Sequence, residues 1–459
     1  MHSIVPKPVG EASDRVSLRD AVRVWAQVSV AGVGGAALQL ATMHRLLVQK
    51  RRWISEERFF HALSYCFAMP GPETQQLAVY VGWLANRMTG AIIAGGLFIL
   101  PGVICMMALS FGYVSGADSP AGQAISLGIR PAILAVMAEA IMRFGGHVLH
   151  SRWMVALACA AFVAAFVNIA FPLIMIVAAL FGLGVALAGL PGLARPASAA
   201  ANGAQEDAPD DELPDYARPR LARLALSLTF WLVLWLAPPI ALLATFGLHN
   251  IYTQISLLFG KVALMAVGGD YAVVAYAAQQ VVGSYHWLSA REMQEGIAMG
   301  EMVPGTIMIV TQFLGSIAAY RDPGQLPPLV AGALGGLLAT WMTFCPCFLW
   351  IMLIAPFIEG LRRNALLNSV LQAVTAAAVG MILNLSVWFG IRTLFHGVET
   401  VRYASFRFDM PNFASIDFWT LALFASAAIA VLRFKVGAAP TLIGSAAVGM
   451  ILLLFGVAV

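Results

Sequence analysis

Hydrophobic positions in this chain come in long blocks that carry no charge. They cover Ala91 to Ala117, Trp153 to Ala194, Leu224 to Leu248, Pro323 to Ile358, Ala365 to Ile391 and Val436 to Val459. About 20 apolar residues in helical form cross the core of a bilayer, so each block predicts at least one crossing. The block from Trp153 to Ala194 is long enough for two, divided near Asn168 and Pro172. By that length rule the chain holds about 10–13 membrane-embedded helices. The expected fold class is an all-α polytopic membrane protein, with the bilayer itself as one partner.

Between the blocks, the polar residues give the organisation. Residues 195–220, which include "QEDAPDDELPDYARPR", have little to bury and read as a solvated linker. On either side the sequence repeats. Gly34-Gly35 recurs as Gly268-Gly269, Trp53-Ile54-Ser55 as Trp287-Leu288-Ser289, and Pro70-Gly71 as Pro304-Gly305, each pair 234 positions apart. Three landmarks in one register predict a duplicated fold, with one repeat in 1–194 and the other in 221–459. The loop "HRLLVQKRRWISEER" of the first half is rich in Lys and Arg; its twin "QQVVGSYHWLSAREM" is not. Lys/Arg excess marks cytoplasmic loops, so the two loops are expected on opposite sides, as in transporters built from inverted repeats. A parallel duplication with a drifted loop is the alternative.

The stretch "AMPGPETQQLAVYVGW", residues 68–83, is hostile to helix and polar within an apolar chain. Met69-Pro70-Gly71-Pro72 cannot continue a helix, because proline lacks a donor and clashes with the preceding turn. Proline is accepted in a first turn, so a helix can begin there with unpaired N–H groups and the positive end of its dipole at the break. In lipid such groups need a protein partner, water or a bound anion. Val303-Pro304-Gly305-Thr306 repeats the arrangement, so two opposed helix starts would cradle a tetrahedral dianion; a pair of packing kinks is the bland alternative. Glu73 in the first turn reads either as a cap for free N–H groups or as a protonatable competitor for the anion, and Gln75 and Gln76 are amide donors. The Gly34-Gly35 and Gly268-Gly269 pairs allow close helix approach or unwinding. Gln39, His44 and Arg45 follow the first pair, Gln279 and Gln280 the second; Arg45 is either a substrate cation or the cytoplasmic end of a span. Glu139, Asp270 and Glu301 lie in apolar surroundings, where burying a carboxylate is expensive and marks a functional group. Together with Glu73 they are the candidates for proton coupling, and for Glu139 an ion pair with Arg130 or Arg143 is the alternative.

Composition narrows the picture. Of 459 residues 60% are hydrophobic and 11% charged, with mean hydropathy +0.82, where a soluble chain would carry about a quarter charged residues. The net charge of +4 sits at span ends and gives no reason to expect nucleic acid as a partner. The five cysteines fall in apolar runs and lack metal or redox spacing, so they read as packing residues. The polar first 20 residues show no cleavable signal peptide. No P-loop, HExxH, GxSxG or dense His/Cys cluster is present, which argues against an ATP-driven pump or an enzyme, and no cofactor or metal is expected.

Three stretches carry a resemblance. "GGAALQLATMHRLLVQKRRWISEERFFHALSYCFAMPGPETQQLAVYVGW" resembles the first-half signature of the chromate ion transporter family, and "VGGDYAVVAYAAQQVVGSYHWLSAREMQEGIAMGEMVPGT" the second-half signature. "FLWIMLIAPFIEGLRRNALLNSVLQAVTAAAVGMILNLSVWFG" is similar to the family's C-terminal region. The similarity matches the long, two-domain form. Departures are Ala36 where the family usually has proline, Asp270 where it has an uncharged residue, and Thr306 where it has proline. The resemblance implies secondary transport of chromate out of the cytoplasm, across the inner (plasma) membrane, driven by the proton gradient or membrane potential. Uptake or exchange of sulfate, which has the same shape and charge, stays open, as do an anion channel and a homodimer.

Overall fold

In the computed structural model, residues 16–30, 36–66, 69–188, 221–265, 270–354, 365–403 and 406–455 are described. The Gly-Gly pairs at 34–35 and 268–269 and the linker at 195–220 lie outside them. The first half contains α1 (Leu18–Val30), α2 (Ala36–Met43), α3 (Glu56–Cys66), α4 (Glu73–Gly116), α5 (Pro120–Val148), α6 (Arg152–Phe166) and α7 (Phe171–Leu187). The second contains α8 (Leu221–Phe246), α9 (Ile251–Leu264), α10 (Asp270–Ala278), α11 (Ala290–Met302), α12 (Val310–Arg321), α13 (Pro328–Ile354), α14 (Ala365–Leu394), α15 (Phe418–Ala428) and α16 (Ala438–Leu454). Between α14 and α15 stands one antiparallel hairpin, β1 (Val398–Tyr403) with β2 (Phe406–Pro411), an addition to the all-α expectation. Among the described residues, five helices are long and apolar enough to cross a bilayer, and six shorter apolar helices accompany them. The α6–α7 hairpin turns at Asn168, inside the block expected to hold two crossings.

The 234-residue register is kept in the backbone. α2 and α10 begin at Ala36 and Asp270, α3 and α11 at Glu56 and Ala290. α2 and α10 each run on into a π turn, His44–Lys50 and Gln279–Ser284. Beyond each turn one residue takes positive φ, Arg52 at 52° and His286 at 54°, and the next amide bonds back, Trp53 to Leu47 at 2.8 Å and Trp287 to Val281 at 2.9 Å. A side chain larger than glycine is strained there, so its recurrence at one register marks a duplicated chain path.

Several spans contain proline, which leaves the carbonyl four residues earlier without its helical donor. Lipid cannot supply one, and neighbouring helices do. For Pro101 the Leu97 carbonyl accepts from the Ser29 hydroxyl at 2.6 Å. For Pro346 the Met342 carbonyl accepts from the Trp235 indole at 3.1 Å, and for Pro238 the Leu234 carbonyl accepts from Trp341 at 3.1 Å. Outward-facing positions of α8 (Leu226, Phe230, Val233, Ile240, Leu243) are exposed and apolar at helical spacing, as a lipid-facing stripe requires.

The helices that flank each Pro-Gly break are too short to span. In the second half, α11 runs in to the break and the helix after it runs out to Arg321. Arg321 bonds the Trp287 carbonyl at 2.7 Å and pairs with Glu292, so both outer ends share one face. Glu292 and Ser289 also form a capping box that starts α11. In the first half α4 is interrupted at Asn86 and Arg87, and Asn86 bonds the Val16 carbonyl at that half's outer end. From there residues 88–116 run about 43 Å, enough to cross a bilayer. Tyr113, near the far end, donates to Glu295 at 2.6 Å, and Glu295 pairs with Arg291 at 2.9 Å and takes the Ser126 hydroxyl. The outer ends of the two halves therefore lie at opposite ends of one span. Halfway along it, a Cβ on Gly102 would stand 2.6 Å from the Pro304 carbonyl, which sets the second break at mid-depth.

Candidate functional site

Three helix starts converge in the centre. α4 begins at Glu73, α10 at Asp270, and a short 3-10 turn leading into α12 at Ile307. The carboxyl groups of Glu73 and Asp270 lie within hydrogen-bonding reach of each other, one from each half. The Thr306 hydroxyl donates to Asp270 and accepts from the Met308 N–H at 3.2 Å, so it caps its own helix start. At the first break the N-cap residue is Pro72, which has no side-chain donor or acceptor to offer; the Glu73 carboxyl also meets its own N–H. Two buried carboxyl groups this near each other disfavour a second charge, because two bare carboxylates would repel in a dry interior; Glu73 Oε2 and Asp270 Oδ1 have no partner among the described residues.

Two amides follow the first break, and a third lies on α2. Gln76 lies buried and donates to the Pro70 carbonyl at 2.6 Å, leaving its own oxygen without a partner. Gln75 and Gln39 are fully buried, and neither carboxamide has a partner among the described residues. Such groups cost free energy unless something fills the place of the missing partner. Gly71 holds φ at 120°, and a Cβ there would stand 2.7 Å from the Gln76 amide nitrogen and 2.8 Å from the Cys347 sulfur.

Other expected residues lie around this centre. Glu301 accepts from the Tyr271 hydroxyl, next in sequence to Asp270, and Arg143 and Glu139 lie near enough to act on its charge. Glu139 and Arg143 form an i,i+4 pair at 3.7 Å, the second of the two partners expected for Glu139. His44 is half-buried between Phe59 and Phe60, 3.5 Å from Glu56, and Arg45 is exposed near the start of the π turn. Gln279 lines a cavity with α14 and the hairpin; Gln280 is half-buried beside it. Gly305 turns at φ 128° with open space where a Cβ would go, and Pro304 turns its carbonyl toward Gly102. The sequence reading missed Cys347 and Thr74 at the first break, because both are ordinary small residues of apolar runs.

A family model described as chromate transporter matches residues 19–183 and 253–451, two segments whose starts are 234 residues apart. The chain belongs to the chromate transporter family. The Pseudomonas aeruginosa chromate transport protein is 27% identical over 354 residues, 76% of this chain and 75% of that one. The chromate transport protein of Cupriavidus metallidurans is 25% identical over 395 residues, 80% of this chain and 81% of its own. No solved structure matches. As a member of this family the chain is a multi-pass membrane transport protein, not an enzyme.

Proposed function

We propose that the protein is a secondary transporter that exports chromate across the inner membrane in exchange with or alongside protons. The observation that carries this reading is the junction of the uncapped α4 start with the Glu73–Asp270 pair. First-turn N–H groups that Pro72 does not cap and the amide nitrogens of Gln75 and Gln39 supply donors for a tetrahedral oxyanion. A dianion seated beside the carboxyl pair favours its protonated form, and departure of the anion favours release of the proton. Tyr271, Glu301, Glu139 and Arg143 then form a line of ionisable groups from the buried pair to the partly exposed Glu139–Arg143 pair. The Lys/Arg-rich loop at 44–58 faces the cytoplasm in this reading.

The test is flux of radioactive chromate and sulfate into inverted vesicles, with and without an imposed pH gradient. Export predicts accumulation of chromate that responds to the gradient. Accumulation of sulfate in preference would replace chromate with sulfate as the cargo. Conduction indifferent to pH, with no accumulation, would make the protein an anion channel and remove the carboxyl pair from its role.

A further inference from the structure

A cavity of about 520 Å³ opens between the outer part of α10 with its π turn, the C-terminal part of α14, the α6–α7 turn and the β-hairpin. Its wall on the α10 side runs from His286 down to Ala275. Ala275 stands five residues from Asp270, about 8 Å along the helix axis, so the cavity reaches close to the depth of the carboxyl pair. The opposite wall carries Asn384, Trp388 and Arg392. Arg392 lies over the Trp388 ring at 4.8 Å, and its Nε and Nη2 reach one oxygen of Asp409 on β2 at 3.2 and 2.6 Å. Its side chain is still 40% exposed, while that of Asp409 is only 12% exposed. Gln279 presents a buried carboxamide oxygen with no partner to the same space.

These groups suit an oxyanion on its way through. The guanidinium is a flat fork that matches two oxygens of an oxyanion, and the amides of Gln279 and Asn384 can turn to donate. The ion pair with Asp409 sets a threshold. A tetrahedral dianion brings twice the charge of one carboxylate to the same distance, whereas a monoanion does not. We infer that this cavity is the anion's access vestibule on the face of the second-half loops, with Arg392 as its docking cation and Asp409 as a built-in counter-ion that a dianion displaces. The inference rests on the transport reading above, in which this face is where exported anion leaves, and adds to it a selection for divalent over monovalent anions at that mouth.

Purified protein in liposomes, with chromate and sulfate supplied from either side, tests the vestibule. Arg392→Gln should raise KM about tenfold for anion presented from the hairpin side, with kcat little changed, as loss of one charge-assisted contact predicts. Arg392→Lys should recover part of the affinity. Asp409→Asn should lower KM for the same side and make transport newly sensitive to competition by nitrate. An unchanged KM in Arg392→Gln from both sides overturns the vestibule, provided that wild type transports. Failure of wild type to move either anion overturns instead the transport reading. Should Arg392→Gln not insert, a cysteine at Asn384 reports on its own. Sulfate must slow its reaction with an impermeant maleimide, and at lower concentration in the Asp409→Asn background; no slowing in either overturns the vestibule.

Discussion

At Pro70-Gly71 and at Pro304-Gly305 the chain makes the same turn, with glycine φ of 120° and 128°, yet the two breaks are finished differently. The second is closed by its own side chains: Thr306 caps the following turn and bonds Asp270. The first has proline at the N-cap position, two glutamines with unpartnered atoms, and a glutamate drawn across to the other half. Around Gly71 the space is filled by Gln76 and Cys347; around Gly305 it is open. The same backbone turn occurs twice, one copy closed by its own side chains and the other holding unpartnered polar atoms. Under the function proposed above, the first-half start is the one with polar atoms left to meet an anion.

The comparison fails outright if the halves are not opposed. Single cysteines at Gln49 and Ser284, both exposed, should react with an impermeant reagent from opposite sides of the membrane. Reaction from one side for both would remove the basis for treating the breaks as mirror partners. Next in size, Gly71→Ala should abolish transport, because strain at positive φ is joined by contact with Gln76 and Cys347. Gly305→Ala meets no neighbour, and carries the strain alone, about 1–3 kcal/mol. Expression and chromate resistance in cells compare the two, and equal loss would mean that the breaks have equal roles.

Neutralising the carboxyl pair should act more selectively. Glu73→Gln or Asp270→Asn fixes the uncharged state, so vesicle flux should lose its response to a pH gradient while anion binding, read by equilibrium dialysis, is kept. A smaller loss of the same kind is expected for Glu301→Gln, whose carboxyl is held by Tyr271 one step away from the pair. If Glu301→Gln removes the pH response and Glu73→Gln does not, the coupling acid is Glu301 and Glu73 is only a cap.

Asp417 provides the control of smallest effect. It starts α15 as a pure cap, accepting from the N–H groups of Trp419 at 2.9 Å and Thr420 at 3.2 Å and from the Thr420 hydroxyl at 2.6 Å. Burial alone would lift its carboxyl, but these bonds and the nearby His396 outweigh it and hold it below the usual carboxylate range. A lowered acid contributes stability above its unfolded pKa of about 4 and loses it as pH falls through the folded value, so this cap fades only in acid. Asp417→Ala should cost about 0.5–2 kcal/mol in thermal unfolding and leave the pH response of transport intact. A change in that response would show that a capping acid is enough to produce it, and would weaken the case for Glu73.

Much of this was legible in the chain itself. Charge-free blocks reveal bilayer spans because lipid forbids unpaired backbone and charge over that length. Pro-Gly steps mark helix starts because proline removes a donor and glycine alone accepts the turn, and the common 234-residue spacing exposes the duplication. These are local rules, and they hold wherever the segment sits. Which acid meets which is not local. Glu73 and Asp270 are nearly two hundred positions apart, and only the packing of one half against the other brings their carboxyls together. The ion pair of Arg392 with a hairpin aspartate, and the Trp235 and Trp341 indoles that complete carbonyls freed by proline, are likewise contacts between distant segments. Backbone propensity and solvent fixed the helices and their breaks, while tertiary packing decided which polar groups were satisfied and which, among the described residues, were left without a partner.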